Sequence, residues 1–381
     1  MSEFKSTREG RTNFRWQLLA TVSAIALTGA VYGAGEVRAA DDESDHPTLW
    51  VELGGQLNRL AEGQETFSPP LLDVRPPEFS PSQKFERLPL YSIDESGKVS
   101  FQPEGSDWVV SASVLYGRSA SQSHVHQQIT PSDFTKYFSG HHYDDVPSGA
   151  RFADTTVRNK QNHLVVDFQA GKDVGLGIFG DRNGSSVFSL GVRYAQFGTQ
   201  STITLKSNPD WHFYIFHYGT LSIPIINGGI FHSNAAQLQA ERSFHGVGPS
   251  LSWKASTPFA GSVDSGEIVL DWGINAAVLF GRQKAKTHHQ STGRYAHAKY
   301  RYSLHITSQP PSAHSTRSRA IVAPNVDGFA GLSFRIQNFK VSAGYRADLF
   351  FGAMDGGIDA AKKENVGFYG PFAAISVGLG G

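Results

Sequence analysis

The chain has 381 residues, with 34 Lys and Arg against 34 Asp and Glu, 40 Gly, 26 Phe and no Cys. The absence of Cys excludes a disulfide framework, a Cys-ligated zinc or iron–sulfur site and a thiol nucleophile. The balanced charge gives no electrostatic footprint for nucleic acid, so we expect no nucleic-acid partner.

The N-terminal 39 residues have the order of a secretory signal peptide. Basic side chains in residues 1–15 precede an apolar, small-residue run at 18–27, and Val37-Arg38-Ala39 predicts cleavage before Ala40. The run is too short for a confident membrane-spanning helix, which needs about 20 apolar residues. We therefore predict a cleaved signal peptide at 1–39 and an exported mature chain at 40–381; an uncleaved N-terminal anchor is the alternative.

The mature chain is dominated by segments in which apolar and polar residues alternate. In 267–281, for example, the even positions are apolar and most odd positions are polar or small, which is typical of a strand with two different faces. Ten segments are predicted as strands: 48–57, 98–104, 107–118, 161–178, 186–198, 241–256, 267–281, 320–336, 338–352 and 367–379.

The connections between these segments alternate between short and long. Short links lie at 104–106, 181–184, 257–266 and 337–338, and the last of these is the pair Gln337-Asn338. The long, polar connections are predicted as extracellular loops at 58–97, 119–160, 199–240, 282–319 and 353–366.

This asymmetry is typical of outer-membrane barrels, which have short periplasmic turns and long outer loops. We therefore predict an all-β fold: one transmembrane antiparallel β-barrel of about ten strands, within a range of eight to fourteen. A soluble periplasmic β-protein is the alternative. Residues 58–97 are expected to form an irregular outer loop or a plug, and the apolar segment 211–223 either extends two strands or folds inward.

Several Gly-rich stretches in the same segments are similar to those of a known family. Leu190-Gly191-Val192-Arg193-Tyr194-Ala195, Phe244-His245-Gly246-Val247-Gly248-Pro249-Ser250-Leu251 and the closing strand Gly370–Leu379 resemble the Legionella-type major outer-membrane protein and its pore-forming relatives. The resemblance covers roughly residues 160–381. It implies a Gram-negative outer-membrane location and a pore-forming function. The chain departs from the family in having no Cys and in ending at Gly381, without a terminal aromatic residue.

The polar faces of the predicted strands supply the candidate site residues. If the apolar faces meet lipid, nine polar side chains point into the lumen: Asp167, Arg193, Asp271, Asn275, Asp327, Arg335, Lys340, Arg346 and Asp348. One interpretation is a pore lining whose charges tune ion selectivity. The other is a salt-bridged plug, because ten strands lie close to the size at which side chains fill a barrel.

Other chemistry is weakly indicated. The sequence 141–145, His-His-Tyr-Asp-Asp, is the best metal candidate among 15 His, but a solvated polar outer loop is the favoured interpretation. No Gly-x-Ser-x-Gly or His-Glu-x-x-His motif is present in the sequence. We expect no catalytic residues, no metal, no cofactor and no enzymatic activity.

These observations predict a porin-like protein of the outer membrane that passes small solutes or ions passively. The alternative is a closed barrel whose long loops bind an extracellular partner, in the manner of an adhesin or receptor. Outer-membrane lipid is an expected partner in both cases. The sequence does not indicate an oligomeric state.

Overall fold

The fold is all-β, and the computed structural model describes most of the chain after residue 48. The described residues are 49–62, 90–103, 106–129, 143–145, 151–174, 184–208, 214–218, 221–225, 229–262, 265–299, 301–308, 313–358 and 360–379. The predicted signal peptide and most of the predicted loop 58–97 lie outside them, as do His141, His142 and residues 181–183. Within the described ranges, no helix has the length and apolar character needed to cross a membrane.

Fourteen strands are present in this part of the chain. They are β1 (Leu49–Glu62), β2 (Leu90–Phe101), β3 (Trp108–Ile129), β4 (Tyr143–Asp145), β5 (Arg151–Asp173), β6 (Ser185–Asn208), β7 (Tyr214–Tyr218), β8 (Leu221–Ile225), β9 (Gly229–Ser262), β10 (Gly266–Lys299), β11 (Arg301–Ser308), β12 (Ala313–Ile336), β13 (Phe339–Asp355) and β14 (Lys363–Leu379).

Ten of these strands form one closed antiparallel barrel. The order is β1-β2-β3-β5-β6-β9-β10-β12-β13-β14, and β14 pairs with β1 to close the ring. Strand β11 pairs with the distal part of β10, and β4, β7 and β8 form a separate three-stranded sheet. The predicted segment 211–223 thus contributes to β7 and β8, which make a hairpin outside the barrel sheet. The prediction of a ten-stranded antiparallel barrel is confirmed.

The two ends of the barrel differ in their connections. At one end, which we call the turn end, Leu49 pairs with Leu379 and a two-residue turn joins Ile336 to Phe339. Gln337 in this turn has φ 48°, as tight hairpin turns require. The opposite end, which we call the loop end, carries the longer connections, such as the one between β1 and β2. The predicted alternation of short and long links is therefore present.

The outer surface of the barrel carries an apolar band. Its side chains come from alternate residues of each strand and include Leu190, Ile274, Leu332, Tyr345 and Ile375, which are 51–67% exposed. Residues between them, such as Asn275 and Asp348, are buried inside the barrel. As the alternation predicted, the apolar side chains point outward and the polar side chains point into the barrel. An outward apolar band of this kind is what a lipid-facing surface requires.

The strands extend farther toward the loop end than the alternation predicted. β3, β5, β6, β9, β10 and β12 continue through much of the ranges 119–160, 199–240 and 282–319, which were predicted as loops. The reason is that the pattern inverts beyond the band. In β6, Ile203 and Leu205 point inward and are buried, while Thr202 and Thr204 face outward. Because the outward side chains are polar there, this part of the strand lies beyond the lipid.

Candidate functional site in the barrel interior

The half of the barrel interior nearer the turn end contains a polar chamber. It is a cavity of about 280 Å³ whose lining includes five basic and five acidic side chains. Eight of the nine sequence-predicted site residues line it: Asp167, Arg193, Asp271, Asn275, Asp327, Lys340, Arg346 and Asp348. Arg335 is not part of the lining and instead pairs with Glu267 near the turn end, at 2.5 Å.

Arg193 lies at the centre of the charged residues. Its Nε and Nη2 donate to the two carboxylate oxygens of Asp167 at 2.7 and 2.8 Å, in the bidentate geometry that arginine favours. Its Nη1 is 2.5 Å from Asp327 and 3.9 Å from Asp348. Asn325 accepts from the same Nη1 and donates to Asp348. One guanidinium is therefore shared by three carboxylates.

Asp271 and Arg346 occupy other parts of the chamber. Asp271 pairs with Lys340 at 2.7 Å and also accepts from the hydroxyls of Ser256 and Ser333. The Arg346 guanidinium lies 5.5 Å from the ring centroids of both Phe329 and Phe372. Within the described residues it makes no ion pair.

Three charged residues of the chamber were not among the predicted site residues. Glu52, Lys98 and Lys254 all line the cavity, and Lys254 donates to Gln169 at 2.9 Å. The same alternation could have identified them, since Lys254 follows Ser250 and Ser252 on the inward face of β9.

An apolar layer fills the interior on the loop side of the chamber. Phe197 lies at its centre, with ring centroids 4.5 Å from Phe350, 5.5 Å from Phe368 and 5.7 Å from Phe244. All four rings are at most 1% exposed, and Leu279 and Met354 pack in the same cluster. This aromatic layer occupies the described interior between the chamber and the loop end.

A buried polar network borders the aromatic layer. The ring of His163 is 4.0 Å from that of Phe368, and its Nε2 is 2.7 Å from Asp94. Asn58 and Ser92 also donate to Asp94. These side chains lie on the inner face of the barrel wall, where the network connects β1, β2 and β5.

The connection from β13 to β14 folds over the interior at the loop end. Carbonyls of this segment accept from Arg242, Arg317 and Thr287, so residues 356–358 are held by three strands of the wall. Asp355 pairs with Arg317 at 3.0 Å and accepts from the amides at 357 and 362. We call residues 355–358 and 360–362 the cap.

The electrostatics of the cap favour the ionised form of Asp355. Burial opposes ionisation, but the hydrogen bonds from Arg317 and from the two backbone amides outweigh it and hold the pKa of Asp355 below its usual value. The carboxylate therefore stays charged in the ordinary pH range and fixes the cap to β12.

A pair of histidine residues, His124 and His126, lies on the outer wall of β3. Asp154 accepts from His126 at 2.5 Å and His124 at 3.2 Å, and these hydrogen bonds lower the pKa of Asp154. Within the described residues, no group of three or more His, Cys, Asp or Glu side chains is arranged to hold a metal ion. The candidate at 141–145 lies largely outside those residues.

Among the curated proteins, no sequence matches this chain. Similar solved structures include the translocator domain of the autotransporter NalP from Neisseria meningitidis, with 10% identity, TM-score 0.30 and coverage of 95% of this chain and 96% of that one. The transport unit of AIDA-I from Escherichia coli has 10% identity, TM-score 0.29 and coverage of 90% and 93%. The P. putida toluene transporter TodX has 6% identity, TM-score 0.18 and coverage of 88% and 91%.

TM-scores this low do not establish a shared fold, so the barrel fold is assigned from the strand pairing alone. The match to a protein family is more extensive. The family described as "Legionella pneumophila major outer membrane protein precursor" matches residues 119–378, which is well over half of the chain and includes eight of the ten barrel strands wholly or in part. The chain therefore belongs to the Legionella major outer membrane protein family and is a β-barrel protein of the outer membrane.

Proposed function

We propose that this barrel is porin-like and that ions and small solutes pass through its interior passively. The observation that carries the proposal is the polar chamber, a cavity of about 280 Å³ lined by charged side chains within the barrel. A barrel whose interior served only for stability would have no need to keep such a cavity. The proposed passage involves no enzymatic step and no cofactor.

The size of the barrel limits the path. A barrel of eight strands has an interior just filled by side chains, whereas one of 16–18 strands leaves a wide aqueous channel. Ten strands lie near the filled limit, and the aromatic layer occupies the described interior above the chamber. We therefore expect small conductance steps, each of which requires the aromatic rings to move aside.

The charge of the chamber also limits selectivity. The basic residues Lys98, Arg193, Lys254, Lys340 and Arg346 are balanced by Glu52, Asp167, Asp271, Asp327 and Asp348. Rings of one sign select ions of the other sign, and this lining has no net charge. The expected discrimination between cations and anions is weak.

The test is single-channel conductance of the folded mature chain in a planar bilayer, with reversal potentials measured in a salt gradient. Arg346→Gln removes a chamber cation that makes no ion pair within the described residues, so it should shift the reversal potential toward cation selectivity. Lys172→Gln is the matched control, because Lys172 lies outside the chamber and pairs with Asp107 at an exposed site. Both variants should show the heat-modifiable gel migration of a folded barrel.

The second candidate function is a closed barrel whose outer loops bind a partner. The aromatic layer is the observation that favours it, since Phe197, Phe244 and Phe350 are almost completely buried. Folded protein that stays silent in the bilayer, together with equally silent variants of the layer, would exclude the porin-like function and support this one.

A further inference from the structure

The outer wall of the barrel becomes basic immediately beyond the apolar band on the loop side. On β10, the outward residue Phe280 is 57% exposed, and the next three outward residues are Arg282, Lys284 and Lys286. All three side chains are exposed. We call them the basic column.

The neighbours of the basic column add hydrogen-bonding groups and little opposing charge. Lys284 lies between Ser243 of β9 and Ser318 of β12, and both serine residues lie at outward positions. Lys286 is 3.9 Å from Glu241, which is the one ion pair that the column makes among the described residues. Arg282 and Lys284 are therefore available to an external anion.

A second basic group lies just beyond the apolar residues of β3 and β5, on another part of the wall. Arg118 is the first outward residue of β3 after Tyr116, and Lys160 and Arg158 follow Leu164 and Asn162 on the outward face of β5. All three basic side chains are exposed. The turn end differs: its outward lysine, Lys172, pairs with Asp107.

We propose that the basic column binds the phosphate groups of the glycolipid headgroups in the outer leaflet. The chain is an outer-membrane barrel, and a band of lipid-facing residues ending at Phe280 places the column at headgroup depth. Lys and Arg clusters next to a membrane recognise anionic headgroups in this way. With the turn end toward the periplasm, the loop side faces the outer leaflet.

The spacing of the column suits a phosphate. Alternate residues of a strand are roughly 6.6 Å apart, so Arg282 and Lys284 can contact two oxygens of one phosphate between them. Arginine supplies a planar pair of donors, and the Ser243 and Ser318 hydroxyls can donate beside the lysine. An uncharged sugar headgroup would leave both cations without a partner.

The test measures binding of the folded mature chain in detergent to bisphosphorylated lipid A, with lipid A stripped of phosphate as the matched probe and a chelator present throughout. Wild-type protein should bind the phosphorylated form and lose that binding as salt is raised. Arg282→Gln with Lys284→Gln should weaken binding by about tenfold or more, since each basic side chain near an anionic surface contributes roughly a factor of five.

The control removes the same charge elsewhere. Lys172→Gln with Lys206→Gln changes one lysine at the turn end and one on β6 far above the band, and it should leave binding unchanged. Equal binding of the two lipid A forms by the wild type would overturn the proposal, and so would an equal loss in both double variants. If the Arg282 and Lys284 variant does not fold on the heat-modifiable gel, Lys284→Gln alone takes its place and should weaken binding by roughly fivefold.

Discussion

Arg193 shows how one residue can determine the state of the chamber. Its guanidinium is 4% exposed and contacts Asp167, Asp327 and Asn325, with Asp348 slightly farther away. Taking a carboxylate out of water is costly unless a partner compensates for it, and here one cation compensates for several. Loss of Arg193 would leave all three carboxylates without this cation, whereas loss of one carboxylate would leave Arg193 paired with the others.

Replacing Arg193 should accordingly destabilise the barrel strongly. In Arg193→Gln the three carboxylates lose their shared cation, and we expect the free energy of unfolding to fall by about 3–5 kcal/mol, the usual cost of breaking a buried pair from one side. Asp167→Asn should cost less, because Asp327 still pairs with Arg193. Urea unfolding in lipid vesicles measures both, and similar losses for the two variants would contradict the dependence on Arg193.

The strands illustrate which elements the sequence could predict. All ten barrel strands were identified because the lipid-facing band makes every second residue apolar, as at Ile274 and Tyr345. Their loop-side ends were missed because the polarity of the two faces inverts there, and in β6 Ile203 turns inward. The aromatic layer was missed for a related reason: Phe197 and Phe244 lie on the lumen face, where the alternation predicts polar residues.

The cap is an element whose stability should depend on pH. The pKa of Asp355 is lowered on folding, so its contribution to stability is present above the ordinary value of 3.8 and is lost as the pH falls through the lowered value. At neutral pH the amides at 357 and 362 should be protected from hydrogen exchange, and below pH 3.8 that protection should fall.

Asp355→Asn tests the origin of this protection. The variant keeps an oxygen that can accept from both amides but loses the charge that pairs with Arg317. We expect the cap of the variant to exchange faster than that of the wild type at neutral pH and at the same rate in acid, after correction for intrinsic exchange rates. Protection in the wild type that does not change with pH would contradict this account.

At the scale of the whole molecule, the barrel combines a polar chamber, an apolar layer and a hydrogen-bonded cap along one axis. In the proposed porin-like function the chamber is part of the path for ions, whereas an apolar constriction excludes water and so blocks them. The cap is fixed by polar contacts that water can replace, so it is the weaker barrier. The aromatic layer should therefore limit conduction through the barrel.

Removing rings from the layer should increase conduction. Phe197→Ala with Phe350→Ala deletes two contacting rings whose centroids are 4.5 Å apart, and we expect larger or more frequent conductance steps than in the wild type. The loss of packing should also cost stability, by roughly 3–5 kcal/mol for each ring if the gap stays dry and by less if water enters it. Phe329→Ala is the control, because Phe329 lines the chamber below the layer. If the folded control and the folded double variant both conduct, and conduct equally, the layer is not the main barrier to conduction.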